Sequence, residues 1–315
     1  MNFTLSSCVA LFVLCVANAA AQAADNEGEL TQGVGAAFVF SKDSENFYTQ
    51  RLALEYLPKY THADLSTRVR YTNHHYAQNA WARSGTQISF LHQKVDPITT
   101  NGWKLDAGMF RQGPHDLLTV DTSYRSSLSK HTSVDMFLKR DWVETAAALD
   151  NGVHFAFGGV AIDQVLSTKV TLVGLAGLQS FSDDNSRNHG RIKLIYQPDP
   201  DLGLTLQMRY RAYTSSSDNV GNAYFNPSRY DETMLAVGWR QRVMGWLASL
   251  TAGSGQQKVA TNPITPTYLL ELALQTPAYN KHYSFRARAM ANQSASYNGP
   301  GYRYNILQGE WIVGF

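Results

Sequence analysis

Cysteine is almost missing from this sequence of 315 residues: Cys8 and Cys15 are the only two, both near the start. A disulfide framework, a Cys/His metal centre and a cysteine nucleophile are thereby excluded from everything that follows. Past Ala24 there is no apolar run approaching the roughly 20 residues a membrane-spanning helix needs. Charge is sparse too: Asp, Glu, Lys and Arg make up 17%, the net charge is +2, and no block of Lys or Arg stands out. The whole-chain electrostatic footprint of a nucleic-acid-binding protein is therefore absent.

What is plentiful is apolar and aromatic. Apolar residues reach 44%, with 17 Tyr and 14 Phe. That mix suits many half-apolar strands flanked by aromatic girdles. Residues 1–24 carry no acidic or basic side chain, and a short apolar core, Leu11 to Ala17, runs into a stretch of small residues. This reads as a secretory signal peptide cleaved after Ala23 or Ala24, leaving 25–315 as one domain. The apolar core is too short to cross a bilayer of about 30 Å. Leu14, not a small residue, precedes Cys15, which argues against lipid attachment there.

Beyond the signal, apolar and polar residues alternate with period two. In 203–213, Leu204, Leu206, Met208, Tyr210 and Ala212 make one face, and Thr205, Gln207, Arg209, Arg211 and Tyr213 the other. Such a period specifies a strand with one greasy and one wet side. Cutting at turn residues predicts about sixteen strands of the length that a tilted transmembrane strand requires. The predicted fold is all-β: a transmembrane antiparallel barrel with both termini on the periplasmic side. Long outer loops are expected at 74–82, 141–151 and 214–229. A soluble sandwich also alternates, but it would turn its aromatic-rich faces toward a shared core.

The last strand sets a phase. Counting back from Phe315, Val313, Trp311, Gly309 and Leu307 face lipid, while Gly314, Ile312, Glu310 and Gln308 face the lumen. An aromatic C-terminal residue on such a strand is similar to the signal read by the outer-membrane assembly machinery. The same phase predicts lumen-lining residues throughout: Asp106, Asp121 and Asp135, then Arg191, Lys193, Arg209, Arg211, Arg240, Arg242, Glu271, Arg286, Arg288 and Glu310. The later set is mostly basic, while the earlier strands mix these aspartates and Asp141 with Lys104, Arg125 and Lys139, so a transverse field across a water-filled channel is expected.

Three loop segments occur in order: Arg140-Asp141-Trp142-Val143-Glu144-Thr145 with Ala148-Leu149-Asp150-Asn151-Gly152, then 181–187 (FSDDNSR), then 224–230 (YFNPSRY). Together they resemble the barrel portion of bacterial exopolysaccharide-export porins, the poly-N-acetylglucosamine and cellulose exporters. The resemblance implies a sixteen-stranded pore through which a polysaccharide leaves the cell beside an inner-membrane synthase. Those exporters precede the barrel with a helical-repeat domain, so a separate periplasmic helical-repeat partner is implied. Trp142, Asp183, Asn185, Tyr224, Phe225 and Tyr230 are the loop residues available for sugar contact, and loop packing is the plainer role for the aromatic ones. A general or solute-specific diffusion porin is the alternative reading, and a barrel enzyme or structural barrel a second.

Catalytic signals are thin. His131 with Ser133, Asp183 and Asp184 near His189, and the pair His74-His75, which lies in a predicted loop, make no recognised nucleophile or metal pattern. No catalytic residue, cofactor or metal is expected.

Overall fold

The computed structural model describes residues 31–217, 220, 223–277, 282–294 and 301–315. The predicted signal peptide lies outside the described residues. The rest is a closed barrel in which each strand pairs antiparallel with its sequence neighbours and the last pairs with the first.

The strands are β1 (Gly33–Asp43), β2 (Phe47–His62), β3 (Leu65–Gln78), β4 (Trp81–Val95), β5 (Gly102–Gln112) and β6 (His115–Ser127). After β7 (Thr132–Trp142) comes a short helix, α1 (Ala146–Asp150), then β8 (His154–Ser167), β9 (Val170–Phe181), β10 (Ser186–Tyr196) and β11 (Leu204–Ser215). The barrel finishes with β12 (Arg229–Val243), β13 (Trp246–Val259), β14 (Thr265–Gln275), β15 (Tyr283–Gln293) and β16 (Arg303–Gly314). Every strand expected from alternation is present, within a few residues at either end.

Closure removes all open sheet edges, the only way a sheet can satisfy its backbone in hydrocarbon. Gly33 pairs with Gly314, and Phe315 and Gln32 exchange backbone hydrogen bonds of 2.9 and 3.2 Å beyond that pair. Both described chain ends therefore lie at one end of the barrel. The outside is apolar: Leu235 is 67% exposed, Ile88 61% and Met109 57%. In water this face would cost heavily, and in a bilayer it is the correct solvent. Tyr56, Trp103, Tyr124, Tyr196, Tyr283 and Trp311 ring the outside toward the end holding the termini, as an interfacial aromatic girdle does.

Local chemistry explains the connections. Met244 and Gly245 both have positive φ, 50° and 82°, which makes the two-residue turn between β12 and β13 one whose twist matches its strands. Pro58 sits where the β2–β3 register shifts, a place in a sheet that tolerates a missing N–H donor.

Two expectations need correction. The loop predicted at 74–82 is strand for most of its length: β3 continues to Gln78, β4 begins at Trp81, and His74 pairs with Gly85. His74 and His75 are therefore strand residues. Alternation is blurred there because small and polar residues occupy both faces at the mouth. The opposite connections are also less uniformly long than expected, since those after β1, β3 and β5 are brief and those at 143–153 and 216–228 are extended.

Candidate functional site

The strand pairings put the sequence-predicted lumen residues in a single phase, the one opposite to that of the exposed apolar side chains. Arg191 is opposite Arg211 and Lys193 opposite Arg209; Arg240 faces Ser249 and Arg242 faces Leu247. Asp106 is opposite Asp121, Arg125 opposite Asp135, and Arg286 opposite Glu310. Glu271 lies beside Thr251 and Met290, and Arg288 beside Ala273 and Gln308.

The two walls differ in how charge is handled. On the β16–β1–β2–β3 side the charges are paired and buried. Arg68 donates to Glu55 (3.1 Å) and reaches across two strands to Glu310 (2.5 Å), while Arg70 bonds Glu55 (2.6 Å) and Asp106 (3.2 Å). Arg286 meets Asp64 at 2.7 Å. This reach is possible because β1 turns an almost bare face inward, with Gly33, Gly35 and Ala37. A Cβ on Gly35 would stand 3.2 Å from a Glu55 carboxylate oxygen. No role was assigned from sequence to Arg51, Glu55, Asp64, Arg68 or Arg70, although the same alternation on β2 and β3 contains four of them.

The opposite wall, β10 to β12, presents seven inward cations, Arg187, Arg191, Lys193, Arg209, Arg211, Arg240 and Arg242, against one carboxylate, Glu232. Arg211 bonds Glu232 at 2.8 Å. Lys193, Arg209, Arg240 and Arg242 make no ion pair among the described residues, and Arg209 donates instead to Gln207. On the mouth side of all these cations but Arg187 runs a row of rings that extends back to β7: Phe137 to Phe157 (5.1 Å), Phe157 to His189 (4.9 Å), His189 to Tyr213 (5.3 Å) and Tyr213 to Tyr230 (5.1 Å).

The mouth opposite the chain ends is roofed. Thr145 caps α1 by accepting from the Ala148 N–H at 3.1 Å, and the helix turns inward, burying Ala148 and Leu149 completely. Contacts fasten the 143–153 segment to β2, β4, β5 and β6: Glu144 with Arg51, Asp150 with Arg83, Trp81 Nε1 to Asp150 (2.9 Å), Gln112 to the Leu149 carbonyl (2.7 Å), and His115 Nε2 with the Asp150 carbonyl (3.2 Å). Thr145 Oγ1 also donates to the Ala223 carbonyl, joining this segment to the 216–228 loop. Beside and beneath these segments is a chamber of about 870 Å³, bounded by Arg51, Lys139, Asp141, Phe157, His189, Arg191, Tyr213 and Tyr224 among others and reaching the rim at Asp43, Gln78 and Tyr302. A smaller space of about 180 Å³ shares Arg51, Lys139 and Asp141 with it and extends down toward Arg70 and Asp106.

The loop residues offered for sugar contact are mostly spoken for. Tyr230 is fully buried on Tyr213, and Trp142 is 3% exposed among Phe47, Tyr76, Phe110, Leu117 and Leu149. Tyr224 stacks on Phe181 (4.7 Å), donates to Asp183 (3.0 Å) and accepts from Asn185 (3.0 Å). Burial first, and then Asp183, push its hydroxyl above the usual tyrosine range, so it stays a donor. Asn185 is buried and also bonds Asn226 (2.9 Å), while Arg187 lies over Phe181 and Tyr224 and donates to the Phe225 carbonyl. Trp142, Asn185, Tyr224 and Tyr230 are thus packed within the mouth, the plainer role: the polar atoms of Asn185, Tyr224 and Tyr230 are engaged, and Trp142 is enclosed by side chains although its Nε1 has no hydrogen-bond partner. Asp183 remains exposed and Phe225 half-buried.

Two of the histidines considered for chemistry are also committed. His74 lies against Phe110 (4.1 Å) with Gln87 and Tyr76 on its nitrogens, and His189 bonds Gln179 (3.0 Å). His131 and Ser133 share no hydrogen bond; Ser133 meets Ser127 at 3.4 Å.

A closed sixteen-stranded antiparallel barrel with an apolar exterior and a charged interior defines this chain as a β-barrel of the bacterial outer membrane. No family model and no curated protein matches its sequence. Its fold is similar to that of a solved bacterial polysaccharide outer membrane secretin, at 11% identity over 92% of this chain and 100% of that one, with a TM-score of 0.65. Weaker likenesses, at TM-scores of 0.44 and 0.45, are to OprD (11% identity, 92% and 96% covered) and OccD3 (12%, 92% and 92%), both from Pseudomonas aeruginosa. At such identities the likeness is one of fold.

Proposed function

We propose that this barrel is an outer-membrane pore through which an extracellular polysaccharide, made by an inner-membrane synthase, leaves the cell. The observation that carries the reading is the roofed chamber of about 870 Å³, walled on one side by aromatic rings and cations. Rings offer flat apolar faces to sugar C–H groups, and charged groups keep the passage wet and fix the hydroxyl-bearing edges. A roof pinned by a few ion pairs suits a path that must admit a polymer outward and exclude solutes at rest. The fold likeness to a polysaccharide secretin agrees with this reading, as do the three loop segments.

Partners follow from the same reading: the outer-membrane assembly machinery acting on the strand that ends at Phe315, a periplasmic helical-repeat protein at the end with the termini, and the synthase beyond it. Deleting the gene is expected to abolish secreted polysaccharide while leaving synthase abundance unchanged. Normal secretion in the deletion strain refutes export. Steady small-solute flux with no block by any glycan polymer would instead favour a diffusion porin.

A further inference from the structure

The basic wall asks for a ligand. Like charges placed directly opposite on neighbouring strands destabilise a sheet. The lumen contains such pairs of both signs and treats them differently. Asp106 and Asp121 are opposite each other, yet each has a cation nearby, Arg70 at 3.2 Å and Lys139 at 3.8 Å. Lys193 and Arg209 are opposite each other with no carboxylate at ion-pair distance among the described residues. Glu271 and Asp163 are the carboxylates whose fields reach Lys193, and each is bonded to another cation, Arg288 or Arg125. Further along the same wall, Arg240 and Arg242 face Ser249 and Leu247. Folding gains nothing from this arrangement, and packing does not require it. Successive inward residues on one strand are about 7 Å apart; Arg209 is level with Met234 on β12, so Arg240 lies three such steps, about 20 Å, nearer the end with the termini, and Arg242 one step beyond it.

We propose that the β10–β12 wall is a track for a polyanionic glycan, one carrying carboxylates or similar anionic groups along its length, with Lys193, Arg209, Arg240 and Arg242 as its charge contacts. This rests on the export reading and names the chemistry of the cargo. The track's cations draw the polymer in by its charge, and the rings at Phe157 and His189 receive its sugar faces near the chamber. A neutral polymer gains only the rings, and a cationic one is repelled.

The test uses the full-length protein, reconstituted in planar bilayers and titrated calorimetrically in detergent, with three probes of equal length: oligogalacturonate, a neutral malto-oligosaccharide and a chitosan oligomer. Small-ion reversal potentials are expected to show anion selectivity. Oligogalacturonate is expected to bind, and to block current, at concentrations about tenfold or more below the neutral probe. Raising salt from 0.1 to 1 M should erode that preference as the screening length falls from about 10 to about 3 Å. The triple variant Lys193→Gln/Arg209→Gln/Arg240→Gln is expected to lose about tenfold in affinity, and Lys193→Gln alone a fraction of it. Removing like charges relieves repulsion, so these variants should fold.

Equal binding of neutral and anionic probes, tighter binding of the chitosan oligomer, cation selectivity, or an unaltered triple variant each overturns the track. With equal binding of the neutral probe, export survives. If no glycan binds or blocks while small ions pass, export and track fall together. Calorimetry reads binding even if the roof keeps the channel shut.

Discussion

Replacing Glu310 with alanine should weaken the barrel at its closing seam. Glu310 is on the last strand, and Arg68, two strands beyond the first, is 3% exposed and reaches it at 2.5 Å. Removing one partner of a buried pair typically costs about 3–5 kcal/mol, because the other charge is left unneutralised out of water. Here the loss is smaller: Arg68 keeps Glu55 at 3.1 Å and the Ala63 carbonyl at 3.0 Å, and Arg70 keeps Glu55 and Asp106. An expected destabilisation of about 2–3 kcal/mol follows. The measurement is equilibrium unfolding in denaturant in detergent micelles, followed by tryptophan fluorescence, for wild type, Glu310→Ala, Arg68→Met and the double variant. Because the two side chains touch, the double variant should be less damaged than the sum of the singles by about 1–3 kcal/mol. Additivity within about 0.5 kcal/mol would show that the pair does not staple the seam. Unfolding of Glu310→Ala at the wild-type midpoint would refute the burial argument itself.

Three further outcomes are expected. Arg51→Ala, which frees Glu144 from the barrel wall, should raise the frequency of channel openings in bilayers, and unchanged gating would show that the 143–153 segment is not held there by this contact. Trp142→Ala empties the center of the cluster formed by Phe47, Tyr76, Phe110, Leu117 and Leu149 and should cost about 3–5 kcal/mol in unfolding, a loss below 1 kcal/mol counting against a packed mouth. Leu235→Arg, placed where the side chain is 67% exposed on the outer face, should destabilise the barrel in lipid by about 2–4 kcal/mol if near the bilayer midplane, whereas a neutral result would mean that this face does not meet hydrocarbon.

Much of the site was legible because a strand's period is a local property. Once Leu307 and Trp311 are placed outward, Glu310 must point inward, and the same two-residue count carries Arg209 and Lys193 to the lumen. Where both faces turn polar, as at His74 and His75, the count loses its contrast and a strand reads as a loop. The loop aromatics show the reverse limit. Tyr224 and Tyr230 look equally suited to a sugar or to packing until Phe181 and Tyr213 are seen against their faces.

Alternation and composition alone determined the all-β class, the number of strands, the outward and inward faces, and the concentration of cations on the later strands. Tertiary structure decided which of those charges are satisfied. Arg68 and Glu310 are 242 residues apart in sequence and meet only when the sheet closes over a strand whose inward residues at that level are Gly35 and Ala37. The roof is likewise a product of closure, since Glu144 finds Arg51 across the mouth, 93 residues away. Period two tells which way a side chain points, but which partner it reaches depends on register and curvature, and these exist only in the closed barrel.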